Sequence, residues 1–238
     1  MIASGCSYTI GNSWADATAK LLNCPLQNYA VSATGNGRIS RSILYGVSEA
    51  LKTYKPEEIF VGVAWSGNNR REVYQTNVDY ENICLTRRIE NPTGFVKGSN
   101  NWVTISPHWS DLYSEYYYKY FYDKTESEIL TLEHIHRTQM FLDKVGIDYV
   151  MTTYAPGVLP ETLNSSTEHL YNSIDFTKFL PVKSIMEWCI EESDLPLAEE
   201  DVGKMPEAMH PTPQHSFRFS QKVIYPYLKE LLYERRSS

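Results

Sequence analysis

Short apolar runs alternate with segments of helical periodicity along most of the chain. The clearest run, Glu58–Trp65, is apolar almost without interruption, as expected for a strand covered on both faces. Shorter runs predict further strands at Met1–Ser4, Pro25–Ala30 and Ile147–Thr153. Strands that alternate with helices are typical of an α/β fold, in which helices wrap a parallel sheet.

Between these runs, apolar residues recur at the spacing of one helix face, and capping residues mark several ends. Ser13 is placed to cap the first helix, and Gly146 is placed to end a later one. Pro226 should kink the last helix or mark its edge. The predicted helices are Ser13–Leu22, Ile39–Tyr54, Glu126–Val145, Val182–Glu192 and Ser216–Glu234.

The regular pattern breaks between about residues 70 and 125, in a stretch rich in Tyr, Asn and Trp. This stretch is too long for a plain connection, so we expect an insertion with some structure of its own. Its aromatic cluster could form a stacking platform for sugars with Trp102 and Trp109. The simpler interpretation is that the cluster packs the insertion onto the main sheet; its members are Tyr116, Tyr117, Tyr118, Tyr120 and Phe121.

Length and composition indicate one ordinary globular domain spanning residues 1–238, with 42% hydrophobic and 21% charged residues. A net charge of −7 argues against a nucleic-acid partner. No apolar stretch approaches the roughly 20 residues of a membrane span, and the N-terminus does not resemble a signal peptide. Four widely spaced cysteines predict free thiols in a reducing compartment, and hence a cytoplasmic protein: Cys6, Cys24, Cys84 and Cys189.

Polar segments follow three of the predicted strands, where parallel sheets place their sites. Ser7 follows the first strand, and His210 precedes the last helix. A serine hydroxyl becomes a good nucleophile when a base takes its proton, and histidine is such a base near neutral pH. Glu207, three residues before His210, could orient the imidazole. These residues predict nucleophilic catalysis, provided that the two ends of the chain meet.

Attack on an ester carbonyl creates an oxyanion that needs preorganised donors, each contributing about 3–4 kcal/mol. The N–H of Gly35 and the side-chain amide of Asn68 are suitable donors, and Gly35 has no Cβ to obstruct the approach. Arg70 and Arg71, beside Asn69, could bind an anionic substrate group or pair with Glu72 or surface acids. Asn69, Arg70 and Arg71 are therefore candidate substrate-binding residues.

The histidines do not form an evident metal site. His134 and His136 would face apart on a helix, since residues two apart lie on different sides. His215 lies five residues beyond His210 without an evident third ligand. It could cap or pack the last helix, or shape the site behind His210. We predict no metal and no cofactor.

Taken in order, four segments resemble the conserved blocks of the SGNH (GDSL-type) hydrolases: Gly5-Cys6-Ser7, Asn28–Gly37, Ser66-Gly67-Asn68-Asn69 and Glu207–His210. The resemblance implies a flavodoxin-like three-layer α/β/α sandwich with a parallel sheet of about five strands in the order 2-1-3-4-5. It implies Ser7 as nucleophile and His210 as base. The N–H groups of Ser7 and Gly35 and the Asn68 amide would form the oxyanion hole.

The surrounding residues resemble a subgroup found in phages and marine bacteria. The shared features are Trp14, the Trp65-Ser66-Gly67 run followed by Arg71 and Glu72, and the placement of His215. The resemblance covers about half of the chain, mostly at its two ends. It is poor from about 73 to 125 and from 156 to 205.

Three departures from the family pattern bear on the site. Cys6 replaces the usual Asp, and on an extended segment its side chain should point into the fold as a buried, inert thiol. Glu207 replaces the usual Asp before the catalytic His. The third block can be registered on Asn68 or on Asn69, and we favour Asn68.

These features together predict a serine esterase that acts through a Ser7 acyl-enzyme on a small-molecule or carbohydrate ester, such as an O-acetyl ester. The alternative is a non-catalytic protein of the same fold, for example a phage-associated structural component located in the virion. A transferase using the same acyl-enzyme is a third option. The sequence leaves the acyl group, the alcohol, the host and the oligomeric state open.

Overall fold

Four parallel strands form the central sheet of the protein. The computed structural model describes residues 1–74, 102–107, 112–191 and 210–237. The parallel strands lie in the order β2-β1-β3-β6, and β4 pairs with β5 in a separate antiparallel ladder. The predicted parallel α/β fold is confirmed. The strands are β1 (Ile2–Ser4), β2 (Gln27–Asn28), β3 (Phe60–Trp65), β4 (Arg71–Tyr74), β5 (Trp102–Ile105) and β6 (Asp148–Thr153).

Helices follow the strands much as the periodicity predicts. The Ser13 side chain accepts a hydrogen bond from the N–H of Ala15 at the first helix, and Gly146 ends the longest helix with a φ of 71°. The helices are α1 (Trp14–Leu21), α2 (Asn36–Ala50), α3 (Leu112–Tyr120), α4 (Lys124–Val145), α5 (Glu168–Asn172), α6 (Ile185–Glu191), α7 (Pro213–Phe219) and α8 (Tyr225–Ser237).

Helices cover both faces of the sheet, and alternate strand residues divide between two cores. Ile2, Val63 and Met151 face one core, which α2 and α4 complete. Ala3 and Ala64 face the other core, which α1, α6 and the C-terminal helices complete. This alternation follows from the two-residue period of a strand, and it explains why β3 is apolar throughout.

The expected fifth strand is reduced, in the described residues, to one parallel bridge between Met151 and Phe179. The N–H of Leu180 donates to the carbonyl of Met151 at 2.9 Å. The next donor in such a ladder would be the N–H of Val182, which instead donates to the carbonyl of Leu180 at 2.7 Å. The described sheet therefore has four strands rather than about five.

The C-terminal helix begins earlier than predicted and contains an interruption. Thr212 accepts a hydrogen bond from the N–H of His215, so a capping box starts α7 at Pro213 rather than at Ser216. A π-helical turn, Ser220–Ile224, separates α7 from α8. Because Pro226 cannot donate to the preceding turn, the backbone widens just before it.

The described part of the insertion contains the β4–β5 ladder and α3. This agrees with an insertion that has structure of its own. Residues 75–101 and 108–111, including Trp109, lie outside the described residues. Among the helices that the structure describes, none combines enough length with enough apolar character to cross a bilayer.

Candidate active site

The crevice between β1 and β3 is the point where the connections of the sheet diverge. After β1 the chain passes through α1 on one face, and after β2 it passes through α2 on the other face. Ligands of open parallel sheets bind at such a point, beyond the carboxyl ends of the strands. Ser7 lies just past the end of β1, and Asn68 lies just past the end of β3.

Ser7 and His210 meet at this edge, although 203 residues separate them along the chain. The distance from His210 Nε2 to Ser7 Oγ is 2.8 Å, which is an ordinary hydrogen-bond length. Ser7 is half-buried and His210 is exposed, so the pair is open to solvent. This is the geometry required for a base to take the serine proton.

The turn that carries Ser7 is held by bonds to Thr9. Its carbonyl accepts from Asn28 Nδ2 at 2.6 Å and from Ser13 Oγ at 2.9 Å, and its hydroxyl accepts from Trp14 Nε1 at 3.2 Å. A Cβ added to Gly5 would lie 2.2 Å from Thr9 Oγ1. Gly5 is therefore required for the close approach of Thr9 to the end of β1.

Cys6 forms the extended residue before the short helix Ser7–Thr9, with a ψ of −156°. Its side chain is fully buried and belongs to the core on the α1 face. The predicted burial of this thiol is confirmed. The carboxylate that the family pattern would place here has no counterpart at this position.

The ring of Tyr8 contacts His210 and a second ring, that of Tyr154, contacts Tyr8; sequence reasoning singled out neither. The Tyr8 ring lies 4.9 Å from the imidazole, at an interplanar angle of 37°. Tyr154, which follows β6, contacts Tyr8 edge-on at 5.1 Å. Since Tyr8 immediately follows Ser7, the serine and the ring that contacts His210 share one turn. In the sequence, the one indication of a role for Tyr8 was its position directly after Ser7.

A buried hydroxyl joins the two helices that lie behind the serine and the histidine. Ser220 Oγ donates to the carbonyl of Trp14 at 2.8 Å and accepts from Thr18 Oγ1 at 3.1 Å. Ser220 lies in the π-helical turn and is completely buried. The helix after Ser7 is thus bonded directly to the helix that follows His210.

The backbone beyond β2 continues the parallel ladder toward Ser7. Every second N–H donates to β1: Gln27 to the carbonyl of Met1, Tyr29 to Ala3 and Val31 to Gly5. The series ends at Val31, because the chain then turns through Ser32 and Ala33, and the N–H of Thr34 donates to the carbonyl of Val31 at 3.4 Å. The N–H groups of Ala33 and Ser7 donate to no acceptor among the described residues. The turn after β2 and the short helix after β1 therefore each hold one backbone N–H that is open within the described part of the chain.

Ala33 has a φ of 57°, in the left-handed region that disfavours residues with a Cβ. For a residue other than Gly or Asn, this conformation costs roughly 1–2 kcal/mol. Strained backbone of this kind concentrates at functional sites. The sequence offered no signal for it, because alanine is not the residue expected in that region.

Gly35, the predicted donor, is engaged elsewhere. Its N–H donates to Glu72 Oε1 at 2.5 Å, and the N–H of Arg38 donates to Glu72 Oε2 at 3.1 Å. Glu72 thus caps α2 from a different segment, with only 3% of its side chain exposed. In this arrangement Gly35 does not offer an open N–H, which differs from the sequence expectation.

The buried carboxyl of Glu72 has opposing influences on its pKa. Burial raises its pKa, whereas Arg41 and the N–H groups of Gly35 and Arg38 act to lower it. Burial also lowers the pKa of Arg38 to about 10, although Glu72 acts in the opposite direction. A buried charge network therefore fixes the start of α2.

Asn36 connects this network to the loop after β3. Its Oδ1 accepts from the N–H of Ser66 at 2.7 Å, and its Nδ2 donates to the carbonyl of Ser66 at 3.0 Å. The same Nδ2 donates to Thr131 Oγ1 on α4 at 3.1 Å. The amide thus extends β3 as a strand neighbour would, and it fixes where the Asn68 loop begins.

The loop itself leaves the choice between Asn68 and Asn69 open. Asn68 Nδ2 donates to the carbonyl of Gly157 at 3.2 Å, which engages one of its two hydrogens. The side-chain oxygen of Asn69 lies 2.8 Å from where a Cβ on Gly67 would stand. The Asn69 carbonyl accepts from the hydroxyl of Tyr118. Neither side chain has a described contact with Ser7.

The two arginines of the loop have separate environments. Arg70 donates to Ser66 Oγ at 2.8 Å and lies 5.5 Å from the centre of the Tyr154 ring. Arg71 pairs with Glu126 at 2.9 Å and donates to the Tyr117 hydroxyl at 3.0 Å. Glu72 takes neither of them, since its nearest guanidinium is that of Arg41.

Two predicted site residues remain: His215, which is described, and Glu207, which is not. His215 is buried, and its Nδ1 lies 2.7 Å from Thr212 Oγ1. It therefore caps and packs α7, the first of its two predicted roles. Glu207 lies outside the described residues, so the third member of the triad stays a prediction.

The aromatic cluster divides into an inner and an outer set. Tyr117, Tyr118 and Tyr122 contact one another and bind residues of the loop after β3. The predicted packing role holds for this inner set only. The outer residues are at least one third exposed, because they lie on the solvent side of α3 or just beyond it: Leu112, Tyr113, Tyr116, Tyr120 and Phe121.

The two histidines of α4 face apart, as predicted. His134 Nδ1 lies 3.3 Å from Arg137, whereas His136 Nδ1 lies 3.2 Å from Ser173 Oγ. Burial, Arg137 and Arg41 lower the pKa of His134 to about 4. Within residues 1–74, 102–107, 112–191 and 210–237, no group of three or more His, Cys, Asp or Glu side chains could hold a metal ion.

Comparisons with known proteins leave the site to be interpreted from its own contacts. No protein-family model, curated protein or solved structure matches this chain. The argument for function therefore depends on the serine–histidine contact and on the donors that surround it.

Proposed function

We propose that the protein is a serine ester hydrolase of the SGNH type, with Ser7 as nucleophile and His210 as general base. One observation carries the proposal: the 2.8 Å contact between two side chains that are 203 residues apart. A single serine or histidine at a strand end is commonplace. Their meeting at the switch point of a parallel sheet is much more specific.

The reaction would follow the two steps of an acyl-enzyme mechanism. His210 Nε2 takes the proton of Ser7 as Oγ attacks the ester carbonyl, and it returns that proton to the departing alcohol. A water then attacks the acyl-enzyme, with His210 again acting as base. Tyr8 keeps the imidazole in place. This chemistry requires no cofactor, and Glu207 remains the predicted orienting carboxylate.

We assign the oxyanion donors to the N–H groups of Ser7 and Ala33 rather than to Gly35. The position of Ala33 supports this choice, since it lies in the turn just after Val31, the last ladder donor to the Gly5 carbonyl, and no described residue accepts its N–H. Its strained φ of 57° is consistent with a backbone held for function. An amide from Asn68 or Asn69 would be the third donor.

The substrate class follows from the open, solvent-exposed position of the serine–histidine pair. A small-molecule or carbohydrate ester could reach it, and an O-acetyl ester of a sugar is our first choice. Tyr154 and Trp102, which lie beside the loop after β3, supply aromatic rings of the kind that contact sugars.

The proposal is tested by turnover of short-chain p-nitrophenyl esters and acetylated sugars, together with covalent labelling by a fluorophosphonate. Ser7→Ala should lower kcat by at least about a thousandfold and abolish labelling, because the nucleophile is removed. Ser32→Ala, an exposed serine of the neighbouring loop, should leave both unchanged. Turnover that survives in Ser7→Ala would contradict the assignment.

The oxyanion assignment has its own test, in which one backbone N–H is replaced by oxygen. Lactic acid in place of Ala33 should lower kcat by about a hundredfold or more, since one donor to the oxyanion is lost. Glycolic acid in place of Gly35 should instead lower the stability, because the bond to Glu72 is lost. If the substitution at Gly35 lowers kcat and the one at Ala33 does not, Gly35 is the oxyanion donor.

A non-catalytic binding protein is the second candidate, and one observation favours it. Two predicted oxyanion donors, the Gly35 N–H and an Asn68 amide hydrogen, are engaged within the protein. A folded sample with neither turnover of acetylated sugars nor labelling of Ser7 would establish this alternative. Failure with p-nitrophenyl esters alone would not, because a selective pocket can reject them.

A further inference from the structure

A polar cavity of about 220 Å³ lies next to the loop after β3. The start of α2, the β4–β5 ladder and α4 complete its wall. Because a water occupies about 30 Å³ in the liquid, this space holds several waters or one small charged substituent. The side chains that matter most are Arg41, Asn68, Arg70, Arg71, Glu72 and Trp102.

Arg41 is held at the cavity wall with its donors open. Its guanidinium lies 3.9 Å from the centre of the Trp102 ring, and about a third of the side chain is exposed. Among the described residues the nearest carboxylate is that of Glu72, 3.9 Å away, which is too long for a hydrogen bond. No described residue accepts a hydrogen bond from Arg41. A stacked guanidinium with open donors is arranged to receive an anion.

Arg70 is similarly available. Ser66 is the one described residue that accepts from it, at 2.8 Å, so most of its five N–H groups are open within the described part of the chain. Its guanidinium lies against Tyr154, and Tyr154 contacts the Tyr8 ring that supports His210. Arg70 thus lies between the cavity and the proposed catalytic pair.

Arg71 differs from these two, because Glu126 neutralises it at 2.9 Å. Glu72 is the carboxylate of the cavity lining, and its oxygens accept from the N–H groups of Gly35 and Arg38. Arg38, next to the lining, adds a further positive charge near Glu72. The described wall therefore carries an excess of positive charge, concentrated in Arg41 and Arg70.

We propose that Arg41 and Arg70 bind an anionic substituent of the substrate in this cavity. The proposal rests on the ester hydrolase function and narrows its substrate class to esters that carry a carboxylate, sulfate or phosphate. Guanidinium groups match the oxygens of these anions through two parallel hydrogen bonds. For a carbohydrate, the substrates would be acetylated uronic acids or acetylated sugars with a sulfate or phosphate.

Binding to the Ser7→Ala protein tests the proposal without any turnover. The probes are methyl galactoside, methyl galacturonide, galactose 6-sulfate and galactose 6-phosphate, titrated by calorimetry at low ionic strength. We expect the anionic probes to bind at least about tenfold more tightly than the neutral one. Comparison of the three anions identifies the preferred group. Added salt should weaken the preference.

Arg41→Gln and Arg70→Gln should each remove most of this preference. Lys229→Gln, an exposed charge on the α8 side of the sheet, should leave it unchanged. If either Gln variant fails to fold, the Lys variant at that position keeps the charge and should still weaken binding through the lost two-bond geometry.

Equal affinity for neutral and anionic probes would overturn the proposal. So would a preference that folded Arg41 and Arg70 variants retain in full. Anion-selective binding in a protein that hydrolyses none of the acetylated sugars would instead support the cavity assignment and count against the hydrolase. The two failures are therefore distinguishable.

Discussion

The edge that holds Ser7 and His210 differs sharply from the neighbouring region around Glu72. In the first, Ser7 is half-buried and His210 is exposed, and the N–H groups of Ser7 and Ala33 have no acceptor among the described residues. The second buries a carboxylate that accepts from α2, with arginines around it. Under the proposed function the two regions divide their roles: one keeps donors available for substrate, and the other fixes the loops around them. Asn36 joins the two regions.

The largest effect on stability should come from Glu72→Ala. Removing this buried carboxylate leaves two N–H groups of α2 without an acceptor and Arg38 and Arg41 without their counter-charge, so the free energy of unfolding should fall by about 3–5 kcal/mol. Urea denaturation measures the change. Glu133→Ala, an exposed acid on α4, should stay within about 0.5 kcal/mol of the wild type. Equal effects from both variants would remove the distinction between the two regions.

Asn36→Ala should have the next largest effect on stability, because it removes the hydrogen bonds that join the Glu72 region to the loop after β3. The N–H and carbonyl of Ser66 would both lose a buried partner, at a cost of about 2–4 kcal/mol. Activity should fall as well, since the loop that carries Asn68 and Arg70 starts at Ser66. Asn172→Ala, at an exposed position of α5, is the matched control. Unchanged urea midpoints for both would show that the connection is dispensable.

Tyr8→Leu probes the open region alone. Loss of the ring beside His210 should lower kcat by about tenfold with little change in KM, since the imidazole is less well positioned for proton transfer. Tyr8→Phe keeps both ring contacts and should retain most of kcat. If Phe and Leu are equally impaired, the hydroxyl rather than the ring is the important group.

The smallest effect concerns the charged region and pH. His134 has a pKa of about 4 in the folded protein, so the unfolded chain binds one more proton between that pH and about 6.5. The contribution of neutral His134 to the free energy of unfolding is therefore fully present above pH 6.5 and is lost as the pH falls toward 4. Because the side chain is partly exposed, we expect His134→Gln to reduce this acid loss by about 1 kcal/mol.

Thermal unfolding of the wild type and His134→Gln between pH 4 and 7 measures that difference. His136→Gln, on the same helix but bonded to Ser173, is the control for removal of an imidazole. Parallel pH curves for the wild type and His134→Gln would indicate that His134 is not desolvated.

Strands and helices were predictable from the sequence because both faces of the sheet are buried. β3 had to be apolar throughout, and Ser13 and Gly146 mark helix ends by local rules. The meeting of Ser7 and His210 followed from the order of the blocks and from strand ends sharing one edge. Local patterns thus specified the part of the site that lies on the sheet.

The rest depended on contacts between distant segments. Glu72 follows Arg71 in an irregular stretch, and no local rule predicts that it caps α2 and takes the N–H of Gly35. The strain at Ala33 is equally hidden, since it arises in the turn that follows the β2 ladder. The pairing of Arg71 with Glu126 likewise depends on where the insertion folds.

The π-helical turn has a further implication for how this protein tolerates variation. Ser220 lies in this turn and donates to the carbonyl of Trp14, so one small hydroxyl bonds the helices that lie behind Ser7 and His210. Alanine is close in size and would disturb the core little. A library screened for expression would therefore accept it, whereas a screen for ester turnover would reject it. Substitutions that pass the expression screen but fail the turnover screen would identify positions that align the helices without contributing much to stability.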